Sequence, residues 1–367
     1  MTEQSNLSTD GGESKGKHQR LLPLFVIALA LMGVGFYLAL EPQDDVDVAG
    51  GERPVLSDMR PLEIADEAVD AEVAPVELVL APFESRPVEL TLRQKSRREG
   101  AGDDTGVMQT VIELGLHEEV DAAEEGRFDQ KGVLAIDRSY DRAQAEVTAG
   151  DGQTIGTGIT SQVEELLRGS VTRMFVTKHG EPVDFEWREV PNPQARRMLY
   201  LVRDAQTFLT PRFFNGDVNP GDTWSYKRPM MVEEPKAGVS AEGEVTIDNR
   251  FVGVIEDGER RIGVVRQTLR ASAEGKLDAD EAKADFSLEG EGAGVVLVAI
   301  GEGKTLAADI DLERKLTVDA GDEPVVYTSE IFLGLRPEGG LTLPELRKQQ
   351  DEESHELEAS KDHAEAE

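Results

Sequence analysis

The sequence predicts an α+β protein: an N-terminal transmembrane helix, then a curved, mainly antiparallel β-sheet, half-barrel-like, with two helices packed on it. Three observations point there. Leu21–Leu40 is an uncharged apolar run. Short alternations of apolar and polar residues, separated by glycine-bearing turns, recur between residues 75 and 337. Between them lie two stretches with helical periodicity and capping residues.

The apolar run comes first. Twenty helical residues at about 1.5 Å each reach about 30 Å, the thickness of a bilayer's hydrocarbon core. Pro23 falls in the first turn and Tyr37 near the far interface. Lys15, Lys17 and Arg20 precede the run, while Glu41, Asp44, Asp45 and Asp47 follow it. The basic side stays in the cytoplasm. The expectation is therefore a single-pass signal anchor in the inner membrane, with the C-terminal part periplasmic or extracellular. A cleaved signal peptide is the alternative, but neither Ala39, with Tyr37 two places before it, nor Ala49, with Asp47, offers a good cleavage site.

Residues 1–20 read as a disordered cytoplasmic segment and 41–74 as a flexible acidic linker. Residues 75–337 read as the extracytoplasmic domain, as one sheet or as two halves, 75–232 and 241–337. Residues 345–367 read as an acidic tail, disordered or weakly helical. Within the domain, Val88, Leu90 and Leu92 alternate as in a half-buried strand, and 107–116 is a second candidate. Residues 132–147 suggest a further pair of strands. Hairpins are expected around His179-Gly180-Glu181, Asp257-Gly258, Gly301-Glu302-Gly303 and Gly321-Asp322.

Ser161–Glu164 fits a capping box that starts the first helix, which Gly169 is placed to end. Asn192 and Pro193 open the second, and Thr210-Pro211 stops it. Its stripe of Met198, Leu201, Val202, Ala205 and Phe208 either packs on the sheet or covers a pocket. Trp224 either plugs the end of the core or lines a cavity. The candidate ligand-binding residues are Met198, Leu201, Val202, Phe208 and Trp224.

Composition narrows the function. A net charge of −34 argues against nucleic acid, whose phosphates need Lys and Arg. The absence of cysteine excludes disulfides, thiolate nucleophiles and a lipid-modified cysteine anchor. His18, His117, His179, His355 and His363 show no metal-ligand spacing on a folded element. Gly238–Glu242 misses the nucleophile elbow at its last position. Gly290–Gly294 lacks the Lys-Ser/Thr of a phosphate loop and opens no helix, so it reads as a strand connection. In the run from Asp278, Lys283 stands where a calcium loop needs glycine. No catalytic residue, metal or cofactor is nominated, and a non-enzyme is expected.

Three stretches carry a resemblance: Phe175–Val183, a strand–glycine turn–strand unit; Phe208–Trp224, ending in Pro220-Gly221-Asp222-Thr223-Trp224; and Asp309–Thr317. Together they resemble a set of uncharacterised bacterial envelope proteins, often lipoproteins. The architecture more weakly resembles the periplasmic half-barrels that carry lipids or lipoproteins. The first resemblance implies no activity. The second implies a curved sheet that binds an apolar ligand or a lipidated partner. The alternative is a non-catalytic structural or interaction module of the cell envelope, and in either case the expected partners are the membrane, through 21–40, and a lipid or protein.

Overall fold

The structure is a computed structural model that describes residues 59, 61–99, 107–129, 131–149, 163–165, 167–190, 202–203, 205–234, 239–279, 282–319 and 324–341. The chain forms thirteen strands among these residues. The first half carries β1 (Val76–Glu77), β2 (Phe83–Glu99), β3 (Val107–Ala122), β4 (Val133–Ala149), β5 (Val171–Thr177) and β6 (Pro182–Glu189). The second carries β7 (Asp217–Val218), β8 (Thr223–Glu234), β9 (Val239–Asp257), β10 (Arg260–Ala279), β11 (Ala282–Ala299), β12 (Lys304–Asp319) and β13 (Val325–Pro337). Eleven of them form one sheet in the order β6-β5-β4-β3-β2-β13-β12-β11-β10-β9-β8, while β1 and β7 pair separately. Every pairing is antiparallel. Because β13 lies beside β2, strands from both halves of the chain share the sheet.

Alternation decides the faces. On β11, Ala284, Phe286 and Leu288 are buried, whereas Lys283, Asp285, Ser287 and Glu289 are exposed. The inner face is apolar along nearly every long strand and builds the main core. The outer face is charged and carries cross-strand ion pairs such as Lys227–Glu244 at 2.6 Å and Arg270–Asp248 at 2.7 Å.

Glycines let the sheet coil. A Cβ on Gly243, Gly275, Gly292 or Gly294 would run into a carbonyl oxygen of the neighbouring strand. Only glycine tolerates that approach, so these positions are bends. The run Gly290–Gly294 thus lies inside a strand and shapes its curvature. A register shift at Gly115/Leu116, opposite Tyr140–Arg142, changes which residues of β4 face inward. The expected pair of strands over 132–147 is one strand, and this bulge is what blurs its alternation.

Residues 61–70 lie along the outer face of β9–β12. Ile64 and Val69 pack there on Ile255, Ile262, Val264 and Leu297, so this part of the sheet is buried on both sides. The Leu62 N–H donates to Asp309, which also pairs with Arg336 in a buried site.

Two expectations are corrected. The fold is an antiparallel β-sheet and not an α+β arrangement with two helices as a packed layer. Among the described residues, helical geometry is confined to a 3-10 turn at Asp66–Ala68 and to short stretches within 163–167 and 202–209. Consecutive long hairpins cover most of the apolar face by curling, which leaves the helical stretches only a gap to fill. The single-pass anchor is corrected as well. No helix among the described residues is long and apolar enough to cross a membrane, and the segment 21–40 lies outside them. The inner-membrane location resting on that anchor therefore has no structural support.

Candidate functional site

The sheet does not close on itself through strand pairing, since β6 and β8 are its two edges. Residues 202–214 span this seam. From the β4–β6 side, Gln206 Nε2 donates to the Tyr140 hydroxyl at 2.9 Å, and the Arg203 guanidinium lies 5.8 Å from the centre of the Phe185 ring. The Phe213 N–H donates to the His179 carbonyl at 2.7 Å. On the β8 side, Trp224 Nε1 donates to the Arg212 carbonyl at 2.7 Å. Arg228 donates to the carbonyls of Thr207 and Thr210. Those carbonyls end the helical stretch, where a cation both satisfies them and complements the helix dipole.

A buried ionic network fixes the seam from below. The Glu118 carboxylate accepts from Arg86 at 2.7 Å and from Arg138 Nε at 2.9 Å. Arg138 also donates to Gln206 at 3.3 Å, which links strands β2, β3 and β4 to the closing segment. Burial would raise the Glu118 carboxyl, but the charges and hydrogen bonds of Arg138 and Arg86 outweigh it and hold it below the ordinary range. Such a network contributes little net stability, yet removing one member leaves a charge stranded.

Of the ligand-binding residues the sequence suggests, three are brought to this seam. Val202 is buried in the main core. Phe208 and Trp224 are half-buried against it, and the Arg228 guanidinium sits 5.8 Å from the Phe208 ring centre. Met198 and Leu201 lie outside the described residues.

The inner face holds a second feature. Leu92 is in the middle of β2, far from either sheet edge, and faces the core, yet it stays only half-buried. Gly292 and Gly294, at the middle of β11, are also partly exposed. Central inward positions keep exposure only where side chains do not fill the interior. Register places Leu92 across from Leu333 and Ile310, and Gly292 across from Leu312 and Ile331, so these partly exposed positions are surrounded mainly by apolar side chains, with the Gln94 amide beside Ile331 and the Gln267 amide beside Gly294.

One strand position further along, the inner face turns polar. Ser96 and Ser329 share a hydrogen bond of 3.2 Å, and Gln94 donates to Ser96 at 2.9 Å. Arg314 faces Ser329 on one side and Gly290 on the other. The alternation Leu312, Arg314, Leu316 puts an arginine on the apolar side, a signal present in the sequence but obscured by the many charges around it.

At the same end, an open groove of 890 Å³ is lined mostly by outward-facing polar side chains, among them Glu242, Glu274, Asp285 and Asp319. No three acidic or histidine side chains among the described residues are placed to hold a metal ion.

No protein-family model and no curated protein matches the chain. Among solved structures, the β-domain of the Bordetella autotransporter BrkA aligns with 70% of this chain and 99% of its own, at 11% identity and a TM-score of 0.24. An outer membrane channel from Pseudomonas putida aligns with 71% of this chain and 100% of its own, at 9% identity and a TM-score of 0.18. Likeness at that level carries no structural argument. The faces also differ in kind from those of a membrane barrel, which is apolar outside and polar within. Here the outward positions of β2 and β11 include Glu89, Lys95, Arg97, Asp285, Glu289 and Glu291, and the apolar side points inward.

Proposed function

We propose that this is a non-catalytic binding protein whose curled sheet holds an apolar chain against its inner face. The observation carrying this reading is the partial exposure of the inward-facing Leu92, Gly292 and Gly294 in the middle of the sheet, beside the buried Leu312 and Ile331. A small apolar space stays dry and takes an apolar guest. The seam supplies a route, because among the described residues 202–214 bridge the two edge strands by side-chain and backbone hydrogen bonds where a closed barrel would have a strand ladder. Opening it breaks local contacts and leaves the sheet intact. An acyl chain, free or attached to a partner, fits this chemistry. The resemblance through Phe175–Val183, Phe208–Trp224 and Asp309–Thr317 is to uncharacterised envelope proteins and brings no activity to transfer.

The test is photolabelling of the full-length chain with a neutral hexadecanol that carries a photoreactive diazirine on its chain. Adducts should map to inner-face positions of β2, β12 and β13. Adducts confined to residues 21–40, or spread over the outer face, would sink the proposal.

A further inference from the structure

Within that reading, the inner face also selects the head of the ligand. Arg314 and Arg98 both lie on the inner face, with β13 between their strands. Tyr327 sits directly across from Arg98, and Ser329 directly across from Arg314. By strand spacing their Cα atoms are about 12 Å apart. The Nε of each is buried and has no hydrogen-bond partner. Among the described residues neither guanidinium makes a hydrogen bond or an ion pair.

The chain has 73 acidic residues against 39 lysines and arginines, so carboxylates are abundant. Of the buried arginines, Arg138 pairs with Glu118 and Arg336 with Asp309, and Arg228 is satisfied by the Thr207 and Thr210 carbonyls, whereas the half-buried Arg98 and Arg314 have neither. Around the free pair the described inward positions are Gln94, Ser96, Leu312, Leu316, Tyr327 and Ser329, with no acid among them. Ser96, Ser329 and Gln94 are already occupied with one another. The absence of a side chain at Gly290 makes room for the stem of Arg314, whose Cγ would lie 3.1 Å from a Cβ placed there. An arginine whose Nε is buried on the inner face without a counter-charge costs stability, and a ligand that brings the charge recovers it.

We propose that Arg314, assisted by Arg98, binds the anionic head of an amphiphile whose acyl chain lies along Leu92, Leu312, Ile331 and Gly292. The apolar zone and Arg314 are one inward residue apart along β12, about 7 Å, so head and chain of one molecule span them. Burial lowers Arg314 to about 10, which leaves it a cation at neutral pH. A carboxylate and a phosphate monoester share the required chemistry, since both accept two parallel N–H donors from arginine.

The experiment is competition against the diazirine hexadecanol on the full-length chain, using palmitic acid, its methyl ester and hexadecyl phosphate. Wild-type protein should bind an acid at least about tenfold tighter than the ester, the scale of one charge-assisted contact. Arg314→Gln should reduce that ratio to near one while ester binding is unchanged, and Arg98→Gln should reduce it partially. A stronger effect with hexadecyl phosphate than with palmitate would identify a phosphate head, and the reverse a carboxylate. Equal binding of acid and ester by the wild type, or an unchanged ratio in Arg314→Gln, overturns the inference while leaving the apolar site standing. Failure of the ester and the hexadecanol to bind removes the apolar site itself. Arg314→Leu separates a structural role from a binding one: with no partner to lose, the ligand-free protein should melt at the same or a higher temperature.

Discussion

Glu118→Ala is the sharpest probe of how the seam is held. In the folded chain the Glu118 side chain is buried and accepts from both Arg86 and Arg138, and Arg138 is itself only 4% exposed. Deleting the carboxylate leaves the Arg138 guanidinium in a dry site with only the 3.3 Å contact to Gln206. Breaking a buried pair from one side costs about 3–5 kcal/mol, a large part of the roughly 5–15 kcal/mol that holds a domain folded. Urea unfolding of the full-length chain, followed by tryptophan fluorescence from Trp187 and Trp224, measures the loss. The double variant Glu118→Leu/Arg138→Met should recover most of it, because no charge is then stranded. The pH dependence has a fixed sign. The folded Glu118 carboxyl lies below its ordinary 4.5, so its pairing contributes fully above that value and is lost as the pH falls through the folded value. The difference between wild type and Glu118→Gln should therefore be flat at neutral pH and shrink under acid. A loss below about 1 kcal/mol in Glu118→Ala, typical of an exposed pair, would refute the reasoning.

Other positions give independent checks. Gly180 has φ +79°, and a Cβ there would collide with the Pro211 carbonyl, so Gly180→Ala should destabilise by about 1–3 kcal/mol and raise protease cleavage near residues 202–214. Trp224→Phe keeps an aromatic side chain but loses the indole N–H donor to Arg212 and part of the ring's packing, at a cost of at least about 1 kcal/mol in urea unfolding and with faster hydrogen exchange in the seam. Leu92→Trp should leave the melting temperature nearly unchanged and abolish labelling by the hexadecanol probe. In a filled core the same change would cost about 1–3 kcal/mol.

The sequence made the sheet legible where alternation was clean and turns were glycine-marked. Val88, Leu90 and Leu92 lie on β2, and the turns at Gly180 and Gly258 join β5 to β6 and β9 to β10. Strand length was hidden. Gly290–Gly294 reads as a connection because glycines remove the apolar signal at the bends, and the bulge at Tyr140–Arg142 interrupts β4. Val202 and Phe208 stand out by their apolar spacing and Trp224 by its place after Pro220-Gly221-Asp222-Thr223, but nothing in the helical spacing distinguishes a helix lying on a sheet from one filling the gap between two strands. Glu118 and Arg138 could not be singled out among so many charges, since their burial follows from the pairing of β3 with β4. Arg314 was visible in principle, as the charged member of the inward set Leu312, Arg314, Leu316.

The unfilled apolar interior is the central claim, and a crystal structure under xenon pressure tests it most directly. The account predicts xenon density between Leu92, Leu312, Ile331 and Gly292, or density for a bound chain in the same place. A xenon-free interior at that position, fully occupied by the protein's own side chains, would contradict it.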